Sequence, residues 1–186
     1  MRIQNFVLLF TLLGFSFVAN AQSSKFMSLN KDGTGNIVFS TTVIKKNEEG
    51  SSTLATKFSS GDSIYARAYF PKAIGAFTGE EEGFIDLWVD GKHEKRLNFS
   101  NKDVAADKDQ MLIYVYNTKD YKPDFKSEVW DGISAGEHRV KLVVGRTKFL
   151  RKGATAEFQG DKIVVKRDDP HAPVYLSDSN FTFIKN

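Results

Sequence analysis

Apolar and polar residues alternate along much of this chain with a period of two. In "SIYARAYF", Ile64, Ala66, Ala68 and Phe70 form one set, and Tyr65, Arg67 and Tyr69 form the other. Successive side chains of a β-strand point to opposite faces, so the first set suits a core. "GFIDLWVD" repeats the design, with Ile85, Leu87 and Val89 opposite Phe84, Asp86 and Trp88. "MLIYVY" does so again, with Met111, Ile113 and Val115 opposite Leu112, Tyr114 and Tyr116.

Similar runs predict strands over Asn36–Ile44, Ser52–Phe58, Ser63–Phe70, Phe84–Val89, Lys92–Phe99, Met111–Tyr116, Glu137–Gly145, Lys162–Lys166 and Asn180–Ile184. Shorter ones are predicted at Ser127–Trp130 and Thr155–Phe158. Gly, Asn, Asp and Ser separate the runs. Helical periodicity is nearly absent beyond the N-terminus. The pattern predicts an all-β fold: a single antiparallel β-sandwich of about 8–11 strands with long loops, immunoglobulin-like or jelly-roll.

Asp90-Gly91 lies between two β-rich runs and tolerates the positive φ of a type I′ hairpin turn. In "SAGEHRVKLVV", Gly136 ends a turn and Val140, Leu142 and Val144 alternate with Arg139 and Lys141. The V-D-G-K turn and the G-x-H-x-V-x-L-x-V strand resemble segments of secreted bacterial immunoglobulin-like and fibronectin-type-III-like modules. The resemblance spans two short patches and implies fold class alone, with no site residues.

The N-terminus changes the picture of compartment. Arg2 precedes the apolar run Phe6–Val18, and Ala19-Asn20-Ala21 follows as an A-x-A cleavage pattern. A signal peptide over 1–21 is expected, leaving Gln22–Asn186 as a single exported domain in the periplasm or outside the cell. The run is short for a membrane span, which needs roughly 20 residues. The cysteine count of 0 removes disulfides and thiol chemistry. A net charge of +3 is too small to argue for nucleic acid. Acids predominate over Glu80–Asp109 and bases over Glu137–Arg167.

Several motifs resemble chemical sites. "GISAG", Gly132–Gly136, matches a serine nucleophile pattern, but the serine is followed by a strand where the elbow needs a helix. "NKDGTGNI" places Asn30, Asp32, Thr34 and Gly35 as in a calcium loop, yet Thr41 stands where a bidentate glutamate is required. "RDDPHAP" gathers Asp168, Asp169 and His171 between prolines, which is also ordinary turn material. No metal site or cofactor is expected.

The aromatic sets remain. Rings with a polar handle suit sugar faces and peptide strands. The expectation is an exported, non-catalytic module that binds a glycan or a cell-envelope protein. Its expected contacts are Tyr65, Arg67, Tyr69, Trp88, Tyr114 and Tyr116 on a sheet face. Arg146, Lys148, Arg151 and Lys152 are a second, basic contact at a hairpin tip. The alternatives are assembly through a sheet edge and hydrolysis by loop carboxylates or a His171 metal site.

Overall fold

The computed structural model describes residues 27–46, 50, 52–77, 81–119, 122–148, 157–159, 162–164 and 173–186. The leader, the "RDDPHAP" loop, Arg151 and Lys152 lie outside these residues, and at Lys148 only the strand is described.

Among the described residues there are ten strands and one short helix. The strands are β1 (Gly35–Ser40), β2 (Lys57–Ser59), β3 (Ile64–Tyr69), β4 (Glu81–Val89), β5 (Lys92–Phe99), β6 (Gln110–Tyr116), β7 (Gly136–Lys148), β8 (Glu157–Gln159), β9 (Lys162–Val164) and β10 (Val174–Lys185). The helix α1 covers Ser127–Asp131. Eight strands form one sheet, in the order β5-β4-β7-β10-β1-β3-β6, with β2 also on β10. Strands β8 and β9 form a separate two-stranded sheet.

The large sheet is mixed and curled into a half-barrel. Strands β1 and β2 both run parallel to β10, so the pairing is not antiparallel throughout. The curl is set at β1. Its first residues, Gly35 and Asn36, pair with Ser177 and Asp178 of β10. Its last four, Ile37–Ser40, pair with Ala68–Tyr65 of β3. One strand thus belongs to two walls. A Cβ built on Gly35 would lie 1.9 Å from the Tyr69 carbonyl oxygen, so only glycine passes between them.

The concave face holds the core, as the period of two predicts. Ile64, Ala66, Ala68, Ile85, Leu87, Met111, Ile113, Val140, Leu142 and Val144 all pack there. Phe39 and Phe58 close on Phe181 at centroid distances of 4.8 and 5.5 Å. The turn predicted at Asp90-Gly91 has both residues at positive φ, 48° and 82°.

Two expectations are corrected. Ser127–Trp130 is helical: Val129, Trp130 and Ile133 fall at the spacing of one helical face, and Trp130 and Ile133 are buried. Tyr116 leaves the outer set, because the register slips between Ile64 and Tyr65 and gives β6 an extra residue. Its ring turns inward against Trp130 and Phe183, at 4.8 and 5.3 Å.

A curled sheet is open at both ends, and here the chain plugs both. At one end, the segment after β3 inserts Ile74 and sets Phe77 against Phe99 at 5.9 Å. Arg146, on the concave row of β7 beyond Val144, donates to the carbonyls of Ile74 (2.6 Å) and Ala76 (2.9 Å). Its guanidinium also lies 4.8 Å from the Phe77 centroid and 3.1 Å from Glu81. At the other end, α1 and its flanks insert Phe125, Trp130 and Ile133. Lys185, next on the row after Phe181 and Phe183, donates to the carbonyls of Trp130 (3.1 Å), Asp131 (2.8 Å) and Ile133 (2.7 Å). Cations near helical C-terminal carbonyls are favourable, and bonds to a charged donor are stronger than neutral ones.

Gly35→Ala is expected to destabilise the fold by about 3 kcal/mol or to prevent folding, since overpacking here moves two backbones. Gly61→Ala meets nothing within 4 Å and is expected to stay within about 0.5 kcal/mol of the parent. Urea denaturation followed by tryptophan fluorescence checks both.

Candidate functional site

The aromatic residues expected to form a platform do not form one. Tyr65 and Tyr69 are 3% and 1% exposed, and Arg67 is buried between them. The chain's own return segment after β1 covers this face. Ile44, itself fully buried, accepts from Arg67 Nε at 2.9 Å and also from Nη2, while Arg67 Nη1 donates to Gln110 at 3.1 Å. Tyr114 is half-buried edge-on to Tyr65 at 6.1 Å. Trp88 is on β4, and β7, β10 and β1 stand between it and β3. Tyr116 packs half-buried against the core. Arg146 holds a plug rather than a free basic surface, and the rest of the basic tip is not described.

Trp88 belongs to a second apolar cluster on the convex face, with Phe84, Val143 and Tyr175. Arg96 caps this cluster, its guanidinium 4.1 Å from the Phe84 centroid. It also forks onto buried Asp86, with contacts of 2.7 and 2.6 Å. His93 meets the same carboxylate at 3.1 Å and stacks edge-on to Trp88 at 4.8 Å. Burial opposes ionisation of Asp86, but Arg96 and His93 outweigh it and lower the carboxyl pKa. The Tyr175 hydroxyl is pushed up to about 12, chiefly by burial and then by the Asp86 charge. This is a closed structural network rather than an open pocket.

The "NKDGTGNI" turn folds on Asp178 of β10, which is itself paired with Lys141. Asn30 donates to Asp178 at 2.7 Å, and the Thr34 hydroxyl lies between Asp32 and Asp178 at 2.7 and 3.1 Å. Lys141 Nζ meets Asp178 at 2.8 Å. Burial raises the Asp32 pKa, but the Thr34 hydrogen bonds outweigh it and the net direction is down. Among the described residues no three His, Asp or Glu gather as a metal-ligand set.

An open cleft of about 730 Å³ lies at the α1 end of the half-barrel, a size typical of ligand clefts. One wall is the tip of the β4–β5 hairpin: Val89, Asp90, Lys92, Glu94 and Lys95. The facing wall comes from α1 and the turn after it: Glu128, Val129, Gly132, Ile133 and Ser134. His138 joins them. It extends the core row of β7 by one position beyond Val140 and so emerges at the barrel mouth.

The order Asp90, His138, Ser134 resembles a nucleophilic triad, and the bonding shows why it is not one. His138 Nδ1 meets Asp90 Oδ2 at 2.7 Å, and Nε2 meets the backbone carbonyl of Ser134 at 2.9 Å. Both partners are acceptors, so a doubly protonated ring satisfies both bonds. The ring ties Asp90 to the Ser134 backbone carbonyl, and it is not bonded to the Ser134 hydroxyl. The Asp90 hydrogen bond raises the His138 pKa above its ordinary value, against burial. His138 in turn lowers that of Asp90, with help from the Arg139 amide at 2.8 Å. Sequence reasoning missed this site because β4 pairs with β7 across about fifty residues. The signs in the sequence were the acid at the hairpin turn and the "GISAG" turn, which supplies Gly132, Ile133 and Ser134 of the facing wall.

Asp86→Ala is expected to cost about 3 kcal/mol, since it leaves Arg96 uncompensated. The Asp86 pKa is lowered on folding, so its contribution is complete above the ordinary carboxylate range and is lost as pH falls through the folded value. Acid titration of urea midpoints is therefore expected to show a shallower decline in the variant than in the parent.

The chain matches no protein-family model, and neither a curated protein nor a solved structure is detectably similar to it.

Proposed function

We propose that this chain is a non-catalytic binding module whose ligand is a segment of a cell-envelope polypeptide held in the cleft beside α1. One observation carries the reading. The cleft has an aliphatic floor of Val89, Val129 and Ile133 between rims of both charge signs, with Lys92 and Lys95 against Glu94 and Glu128. Among the described residues, no aromatic ring apart from the His138 imidazole lines it, and stacking rings are what usually hold sugar faces. A peptide with one apolar side chain flanked by charges fits that chemistry.

Export to the periplasm or beyond rests on the leader pattern of residues 1–21. Kinship with immunoglobulin-like or fibronectin-type-III-like sandwiches rests on the two sequence patches, and the two parallel pairings on β10 set this sheet apart from a purely antiparallel sandwich. Assembly through the β6 edge is disfavoured. Asp124 folds back on that edge, accepting from the Tyr114 amide at 2.7 Å and returning its own amide to the Tyr114 carbonyl at 2.7 Å, which blocks further strand pairing there. The hydrolase alternative through Asp168, Asp169 and His171 concerns residues outside those described.

Peptide-phage selection against the immobilised protein is expected to yield binders with a central apolar residue and flanking charges. Ser134→Trp fills the cleft from an exposed position and is expected to weaken them about tenfold or more, with an unchanged thermal midpoint. Binders indifferent to Ser134→Trp would sink the reading. So would a glycan-array ligand whose binding survives that substitution.

A further inference from the structure

His138 bridges the two walls of the cleft. Its Nδ1 is bonded to Asp90 on the hairpin wall, and its Nε2 to Ser134 on the helix wall. We propose that His138 is a pH-sensitive clip that fixes the width of this cleft: charged, it ties the walls together, and neutral, it releases the Ser134 wall. This rests on the cleft being the binding site only where affinity is concerned; the clip itself rests on the bonding.

A neutral imidazole has one N–H. Once the ring loses a proton, a nitrogen lone pair must face an oxygen that can only accept. The carboxylate is the stronger acceptor, so Nδ1–H stays with Asp90 and Nε2 lets the Ser134 carbonyl go. The released stretch is short. Lys185 still holds the carbonyls of Trp130, Asp131 and Ile133. On the other side, Gly136 begins β7 and pairs with Lys185 of β10. Movement is therefore confined to Ser134–Gly136.

The charged groups around the ring are Asp90 of the hairpin turn, Lys185 of β10, and Lys92, Glu94, Lys95 and Glu128 on the cleft walls. Its strand neighbours Glu137 and Arg139 point to the other face of β7. Carboxylates and lysines ordinarily titrate well outside the range from pH 5.5 to 8.5, which leaves His138 as the histidine among the residues lining the cleft, since His93 is turned to Asp86 on the convex face.

The test is NMR of the His138 ring nitrogens and of the Ser134 carbonyl carbon from pH 5.5 to 8.5. As pH rises, the Nε2 shift is expected to move to that of an unprotonated nitrogen and the Ser134 carbonyl carbon to shift with the same midpoint, while the carbonyl carbons of Val140–Val144 stay constant. His138→Gln is expected to abolish the pH dependence. Asp90→Asn, which keeps an acceptor but removes the charge, is expected to move the transition to lower pH. In parallel, a histidine-free peptide from the selection is titrated against the protein at both pH extremes, and is expected to bind about fivefold more weakly at pH 8.5. A Ser134 carbonyl shift that stays flat across this range in the parent, or pH dependence that survives His138→Gln, overturns the clip. A clip that titrates in a protein that binds no peptide upholds this inference and removes the binding reading instead.

Discussion

The closure of this fold depends on cations placed at the ends of apolar strand rows. A half-barrel buries side chains along its concave face but leaves both mouths open. Loops that fill a mouth carry backbone carbonyls with them, and buried carbonyls need donors. Strand β7 ends its row of Val140, Leu142 and Val144 with His138 at one mouth and Arg146 at the other. Strand β10 ends Phe181 and Phe183 with Lys185. For Arg146 and Lys185 the aliphatic stem of the side chain continues the core while the charge meets the loop. With no cysteine in the chain, these contacts fasten the ends without a disulfide.

The cleft follows from the same arrangement. The plug made by α1 is held from below by Lys185 and from the side by His138, and it meets the tip of the β4–β5 hairpin without closing on it. What remains between them is an opening whose floor is the edge of the core and whose rims are charged strand and helix ends. The convex face behaves differently. There Arg96 and His93 are both turned to Asp86 around Phe84 and Trp88, so the polar groups of that cluster are bonded to one another.

Much of the fold was legible in the sequence. The inward sets of β3, β4 and β6 follow from a period of two, and Asp90-Gly91 from the conformational needs of a tight hairpin. Other features depend on contacts that a period does not encode. Nothing in "SIYARAYF" says that residues 41–46 return over Tyr65 and Tyr69. The slip that turns Tyr116 inward is a single extra residue in β6, visible only against the register of β3. Arg146 sits in a basic run and reads as a solvated tip, although its guanidinium lies on Phe77. The helical spacing of Val129, Trp130 and Ile133 was present but short, in a chain where every neighbouring run is a strand. His138 and Asp90 sit at recognisable places, yet only the pairing of β4 with β7 brings them together.

Native-state hydrogen exchange on two variants tests the end-closure account most directly. Arg146→Met should lower protection in residues 74–77 and leave 128–133 unchanged. Lys185→Met should do the reverse, with the central strands β4, β7 and β10 protected in both proteins. Two separate local openings, each governed by its own cation, are the predicted result. If either variant leaves both plugs as protected as in the parent, or lowers protection evenly across the sheet, the cations do not close this barrel.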